Sequence, residues 1–165
     1  MRIEINNKNI VELLNLEEFK QNHVIILFLD FIKSIDFNKI NNIYSILEID
    51  TNLNDISLFM KLESDVSIPI EISITDKFLD FSVCGCPIYE MFEIKNKDFT
   101  KELEFIKKWF NYDIVYKVKY SGKLIVESKF YNMQNTNEII FNSKSIFSFL
   151  TIGKREEIQY KSWMK

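Results

Sequence analysis

The stretch Tyr112–Tyr131 constrains the fold more than any other, because its apolar residues recur at every second position on both sides of a Ser-Gly pair. That period belongs to strands. Tyr112, Ile114, Tyr116 and Val118 precede the pair, and Leu124, Val126, Ser128 and Phe130 follow it. Alternate residues share a sheet face, so the two arms bury one face together only if even positions pair with even. A two-residue loop at Ser121-Gly122 would put the apolar sets on opposite faces. A three-residue loop, Tyr120-Ser121-Gly122, keeps them together and predicts Gly122 at positive φ as a bulge residue. The other face then carries Val115, Lys117, Lys119, Lys123, Ile125, Glu127 and Lys129, a basic surface.

The same alternation runs through the middle of the chain. Ile56, Leu58, Met60 and Leu62 form one strand and Val66 to Thr75 a second, followed by Phe78–Cys84 and Ile88–Ile94, joined through Gly85-Cys86-Pro87. Pro69 lacks a ladder donor, which predicts an edge strand or a bulge there. An edge strand over 66–75 would be a candidate for accepting a partner's strand. Arg2–Ile5 reads as a short first strand, 138–141 as another and Glu157–Tyr160 as the last.

Helical spacing occupies the remainder. Asn15 and Glu18 form a capping box that predicts a helix over 16–35, although Val24–Leu29 is apolar all round and fits a buried strand equally well. Ile40, Ile43, Tyr44 and Leu47 predict a second helix over 38–48, with a loop at 50–55. Asp98 is the expected N-cap of a third over 98–110, whose stripe is Phe99, Leu103, Ile106 and Phe110. A short helix carrying Ile146, Phe147, Phe149 and Leu150 should stop at Gly153. These elements predict one α+β domain over residues 1–165, an antiparallel sheet of meander plus C-terminal hairpin with helices on one face.

With 165 residues, 47% hydrophobic and 27% charged, the chain can bury a core without disulfides or metals. The longest apolar run, Val24–Leu29, is far shorter than a membrane span, and no secretory signal precedes it, so a cytoplasmic protein is expected. The net charge of −3 is unevenly spread: residues 1–95 hold 8 Lys+Arg against 16 Asp+Glu, and residues 96–165 hold 13 against 8. The first part is therefore acidic and the second basic.

Few residues have the spacing of a chemical site. Cys84 and Cys86 are too close for an unstrained disulfide, and with His23 as the one histidine they fall short of a zinc ligand set. No phosphate-binding Gly loop, metalloprotease motif or nucleophile elbow occurs. Glu71, Asp80, Glu90 and Glu93 could converge on a sheet surface, yet their spacing selects no acid–base pair. Lys117, Lys119, Lys123 and Lys129 interleave with Tyr116, Tyr120 and Tyr131 as a nucleic-acid surface would, but the isoelectric point near 5.3 and the single arginine of that half, Arg155, argue against it. No cofactor or metal is expected. Glu12, Glu17, Glu18, Glu48, Asp50 and Asp55 gather in the acidic part, where they could oppose a basic protein partner such as a nuclease.

In length, acidity and α+β pattern the chain resembles the small immunity proteins of bacterial polymorphic and contact-dependent growth-inhibition toxin systems. The resemblance covers the general character of all 165 residues and rests on no motif. It implies a non-catalytic cytoplasmic protein that binds and blocks a cognate toxin domain. The alternatives are a small enzyme working through His23 or the cysteine pair, and a nucleic-acid-binding module using the hairpin.

Overall fold

In the computed structural model, which describes residues 2–17, 19, 22–52, 55–75, 77–83, 88–95, 98–145 and 153–164, the alternating stretches become two antiparallel sheets. The first holds β1 (Arg2–Ile3), β2 (Ile46–Asn52), β3 (Asp55–Leu62), β4 (Ile70–Ile74), β5 (Phe78–Val83) and β6 (Ile88–Glu93) in sequence order. The second holds β7 (Ile114–Ser121), β8 (Leu124–Asn132), β9 (Asn135–Lys144) and β10 (Arg155–Tyr160), ordered β10-β7-β8-β9. Among the described residues three helices, α1 (Asn7–Leu14), α2 (His23–Ile32) and α3 (Thr100–Asn111), complete an α+β protein, as the pattern of periods predicts.

Register explains why the meander closes. Leu47, Met60, Ile72 and Phe81 lie directly across from one another on four neighbouring strands, and so do Ile49, Leu58, Ile74 and Leu79. All eight are buried. A slip of one residue in any strand would turn its row to solvent. The hairpin does not extend this sheet. Trp109 of α3 lies 5.3 Å from Phe81 on one side and 5.2 Å from Phe130 of β8 on the other, so the helix separates meander from hairpin while one buried cluster joins them.

The hairpin keeps the expected even-to-even parity by a different device. Its turn is Gly122-Lys123, with Ser121 opposite Leu124 and Tyr120 opposite Ile125. Gly122 does have positive φ, at 60°. The bulge, however, falls at Val126: the register shifts so that Lys119 faces Glu127, and Val118–Ser128 and Tyr116–Phe130 then pair even with even. Tyr116 and Phe130 stack with centroids 4.3 Å apart on the buried face.

The N-terminal helices differ from expectation because asparagines on either side of Asn15, not Asn15 itself, supply the N-caps. Asn6 Oδ1 accepts from Asn9 N at 2.9 Å to open α1, Asn15 ends that helix, and Asn22 Oδ1 accepts from Ile25 N at 3.2 Å to open α2. Val24–Leu29 is therefore helical, with Val24, Ile25, Phe28 and Leu29 buried. The helix expected over 38–48 is replaced by a 3-10 turn at Phe37–Lys39, a turn at 41–45 and the start of β2. Asn41 arrests the helix, its carbonyl accepting from Ser45 N and its side chain from Ile43 N, while Leu47 pairs opposite Met60 in the sheet core. Ile43 is consequently 80% exposed.

Two further expectations are corrected. β4 is a central strand with β3 and β5 on its two sides, so it offers no free edge to a partner; Pro69 stands just before the first ladder residue, where its missing donor costs nothing. The N-cap of α3 is Phe99, one residue beyond Asp98, although Asp98 Oδ1 accepts from Thr100 N at 3.1 Å. That bond holds the Asp98 carboxyl below its usual range. The expected strands over 138–141 and 157–160 lie within β9 and β10. Cys84, Cys86, the Gly85–Pro87 turn and the helix expected over 146–150 lie outside the described residues.

The C-terminal segment fastens the molecule. Trp163, fully buried, donates Nε1 to Ile68 O at 2.9 Å and its backbone N to Phe110 O at 2.8 Å, while its carbonyl accepts from Asp36 N at 2.8 Å. Lys39 Nζ reaches the Ser162 and Met164 carbonyls at 2.8 and 2.7 Å, and Asp113 Oδ1 accepts from Ser162 N at 2.8 Å. The four residues 161–164 thus tie the end of α2, the approach to β4 and the end of α3 to one another.

Gly153 leads into β10 where the chain presses on the hairpin. A Cβ there would sit 1.6 Å from Tyr120 O, beside the bond from Tyr120 N to Lys154 O. Gly153→Ala should therefore lift the start of β10 off β7 and cost about 1–3 kcal/mol, the usual penalty of overpacking. Urea unfolding of the two proteins measures it, and equal midpoints would contradict the close approach.

Candidate protein-binding face

The meander presents one side to the helices and the other to solvent. Pairing places Arg2, Glu48, Phe59, Ser73, Asp80 and Met91 in a single row across six strands on the outer side. Beside it runs a second row of Lys61, Glu71, Ser82 and Tyr89. Asp50 on β2 and the opposed pair Phe78–Glu93 on β5 and β6 flank the first row on its other side. Among the paired strand residues five carboxylates, from Glu48, Asp50, Glu71, Asp80 and Glu93, thus share a face with two cations, Arg2 and Lys61, and Lys95 just beyond β6 stands 3.6 Å from Glu93.

Lys61 is already engaged, 3.2 Å from Glu63 and 3.5 Å from Glu71. Tyr89 donates its hydroxyl to Asp80 Oδ1 at 3.2 Å, and this bond, with lesser contributions from burial and the carboxylate charge, raises the phenol's pKa above its ordinary value. Shallow depressions of about 200 Å³ and 510 Å³ lie on either side of Phe59, one bounded by Glu71, Asp80 and Tyr89, the other by Arg2, Glu48 and Asp50. The face is also apolar at its β6 margin: Tyr89 is 63%, Met91 62% and Phe78 43% exposed. Aromatic side chains held on strands lose little entropy when a partner covers them, and methionine adapts its shape to the covering surface.

No protein-family model matches this chain, and no curated protein or solved structure is detectably similar to it. The arrangement of its own side chains is therefore what bears on its role.

The acidic residues singled out from the sequence separate into groups. Glu48 and Asp50 project from β2 onto the outer face, where a helix and a loop had been expected. Glu12 is exposed on α1, 3.8 Å from Lys8, and lines a different depression that also reaches Arg2; Glu17 is exposed just beyond α1. Asp55 opens β3 opposite Asn52, and Glu18 lies outside the described residues. Of the four carboxylates considered for a sheet surface, Glu71, Asp80 and Glu93 do converge, while Glu90 pairs across from Phe81 on the helix-covered side.

Phe59, Phe78, Tyr89 and Met91 were missed. Their signal was present, since in Phe78–Val83 and Ile88–Glu93 the polar positions of the alternation themselves carry aromatic and methionine side chains. His23 is exposed at the first turn of α2. Among the described residues no three His, Cys, Asp or Glu side chains are grouped to hold a metal ion, and no helix is long and apolar enough to cross a membrane.

Proposed function

We propose that this protein is a non-catalytic binding protein of the immunity type, which neutralises a cognate toxin domain by tight association. The outer face of the six-stranded sheet is the surface that meets the toxin. The observation that carries this reading is the combination, on one rigid face, of five carboxylates against two cations with exposed Phe78, Tyr89 and Met91. Complementary charge accelerates encounter with a basic partner and rejects acidic ones, while the aromatic margin supplies buried contact area. A basic nuclease domain fits that description, its substrate-binding surface being the one such a protein would cover. The cytoplasm is the compartment in which an incoming toxin of this kind would be met.

The test begins with the gene neighbourhood, where a large toxin gene is expected directly upstream. Co-expression with the C-terminal domain of that gene's product should restore growth, and the purified pair should associate. Glu48→Lys combined with Asp80→Lys should weaken the complex by about two orders of magnitude, since like charges facing each other across an interface cost several kcal/mol. Loss of protection by this variant, with an unchanged circular-dichroism spectrum, supports the reading. No rescue by the wild type, or full rescue by the double variant, overturns it.

A further inference from the structure

The outer face of the four-stranded sheet has the opposite charge. Arg155, Lys119, Glu127 and Lys144 stand in one row across β10, β7, β8 and β9, and Glu157, Lys117, Lys129 and Asn142 in the next. Two like-charge pairs are therefore directly opposed, Lys119 with Arg155 and Lys117 with Lys129, a placement that weakens a sheet. Glu157, 3.2 Å from Lys117, and Glu127, 2.9 Å from Lys129, offset part of the repulsion. Five cations against two carboxylates remain on this face of a chain whose net charge is −3. Tyr131 lies in the third row, with Lys117 Nζ 5.6 Å from its ring centre, and a shallow hollow of about 470 Å³ runs between Tyr131, Lys117, Lys119, Lys129 and Arg155, with Glu127, Glu156 and Glu157 also on its walls.

We propose that this face binds single-stranded nucleic acid, its phosphates on Lys117, Lys119, Lys129, Lys144 and Arg155 and a base stacked on Tyr131. A polyanion removes the cost of the opposed like charges, which no neutral or cationic partner could do. Lys117 and Lys119 are two residues apart on one strand, about 6.8 Å, and their opposed partners are about 4.8 Å away, so the cations form a grid along which a flexible backbone can be laid. A duplex is a poorer fit, because reading a groove takes a protruding helix or ribbon, whereas a sheet with an aromatic side chain is a stacking platform. The ammonium group of Lys117 now lies over the Tyr131 ring, and an arriving base would displace it. This site is independent of the toxin-binding face, which lies on the other sheet.

The test is fluorescence anisotropy of the full chain with a labelled oligothymidylate, and with an RNA of equal length, longer than the roughly 4–16 nucleotides such sites span. Binding should be seen at low salt, with a slope of log K against log salt of about −2 to −3.5, the value for three to five phosphate contacts on a single strand. Lys119→Glu with Arg155→Glu should lower affinity at least about tenfold, and Tyr131→Ala by about 5- to 100-fold at unchanged slope, the loss of a stacked base. Lys123, expected on this face, stands instead in the Gly122-Lys123 turn beyond the paired rows, and Lys123→Glu should change affinity little. Absence of binding at low salt overturns the proposal. So do equal binding of heparin or phosphatidylserine vesicles with no dependence on Tyr131, which would mark a general polyanion or membrane surface, and an equal effect of Lys123→Glu, which would mark diffuse electrostatics.

Discussion

Trp163→Ala is expected to cost about 3–5 kcal/mol of stability, the range for truncating a fully buried indole, and to lower the urea midpoint accordingly. The indole packs 6.4 Å from the Phe110 ring inside the principal core cluster, and its Nε1–H satisfies the Ile68 carbonyl ahead of β4. Trp163→Phe separates the two contributions. It keeps an aromatic ring but leaves that carbonyl without its donor, a penalty of about 1–3 kcal/mol. A phenylalanine variant as stable as the parent would show that the hydrogen bond to Ile68 adds nothing. Because residues 161–164 bind α2, the approach to β4 and α3 together, the loss should appear as a shift of the whole unfolding transition, with the slope unchanged.

Trp109→Ala should be as damaging, again about 3–5 kcal/mol, for a different reason. Its ring is the middle of a chain of aromatic contacts that runs from Phe92 and Phe81 through Phe105 and Trp109 to Phe130, Tyr116 and Phe141. Removing it leaves a cavity where the two sheets meet, which neither sheet can fill without abandoning its register. The two tryptophans should then part company on substitution by phenylalanine. Trp109 Nε1 is buried with no hydrogen-bond partner among the described residues, so Trp109→Phe loses volume but also removes an unpaired donor. It should be the milder of the two phenylalanine variants in parallel urea titrations. The reverse order would mean that Trp109 Nε1 is satisfied in solution.

The same contrast between pattern and partner governs what was legible in the chain. The strands expected over 56–62, 78–84 and 88–94 and the helix expected over 98–110, which correspond to β3, β5, β6 and α3, could be placed because each carries its own period and each period has one compatible element. The helix expected over 38–48 failed because four apolar residues at helical spacing also fit a turn followed by a strand, and only pairing with Met60 on the next strand, outside the local window, decides that Leu47 belongs to a sheet. The candidate face was half visible for the same reason. Glu71, Asp80 and Glu93 could be suspected of converging, whereas Glu48 and Asp50 could not join them until β2 was known to be a strand.

The sequence by itself determined the α+β class, the even-to-even parity of the hairpin and the separation of an acidic first part from a basic second part, since these depend on period and composition alone. Tertiary structure decided that the meander and hairpin form two sheets around Trp109, that β4 is central, and that charge is sorted onto two outer faces. Those outcomes depend on which strands become neighbours, and neighbours are chosen by side-chain contacts between residues remote in the chain, a quantity to which local periodicity is blind.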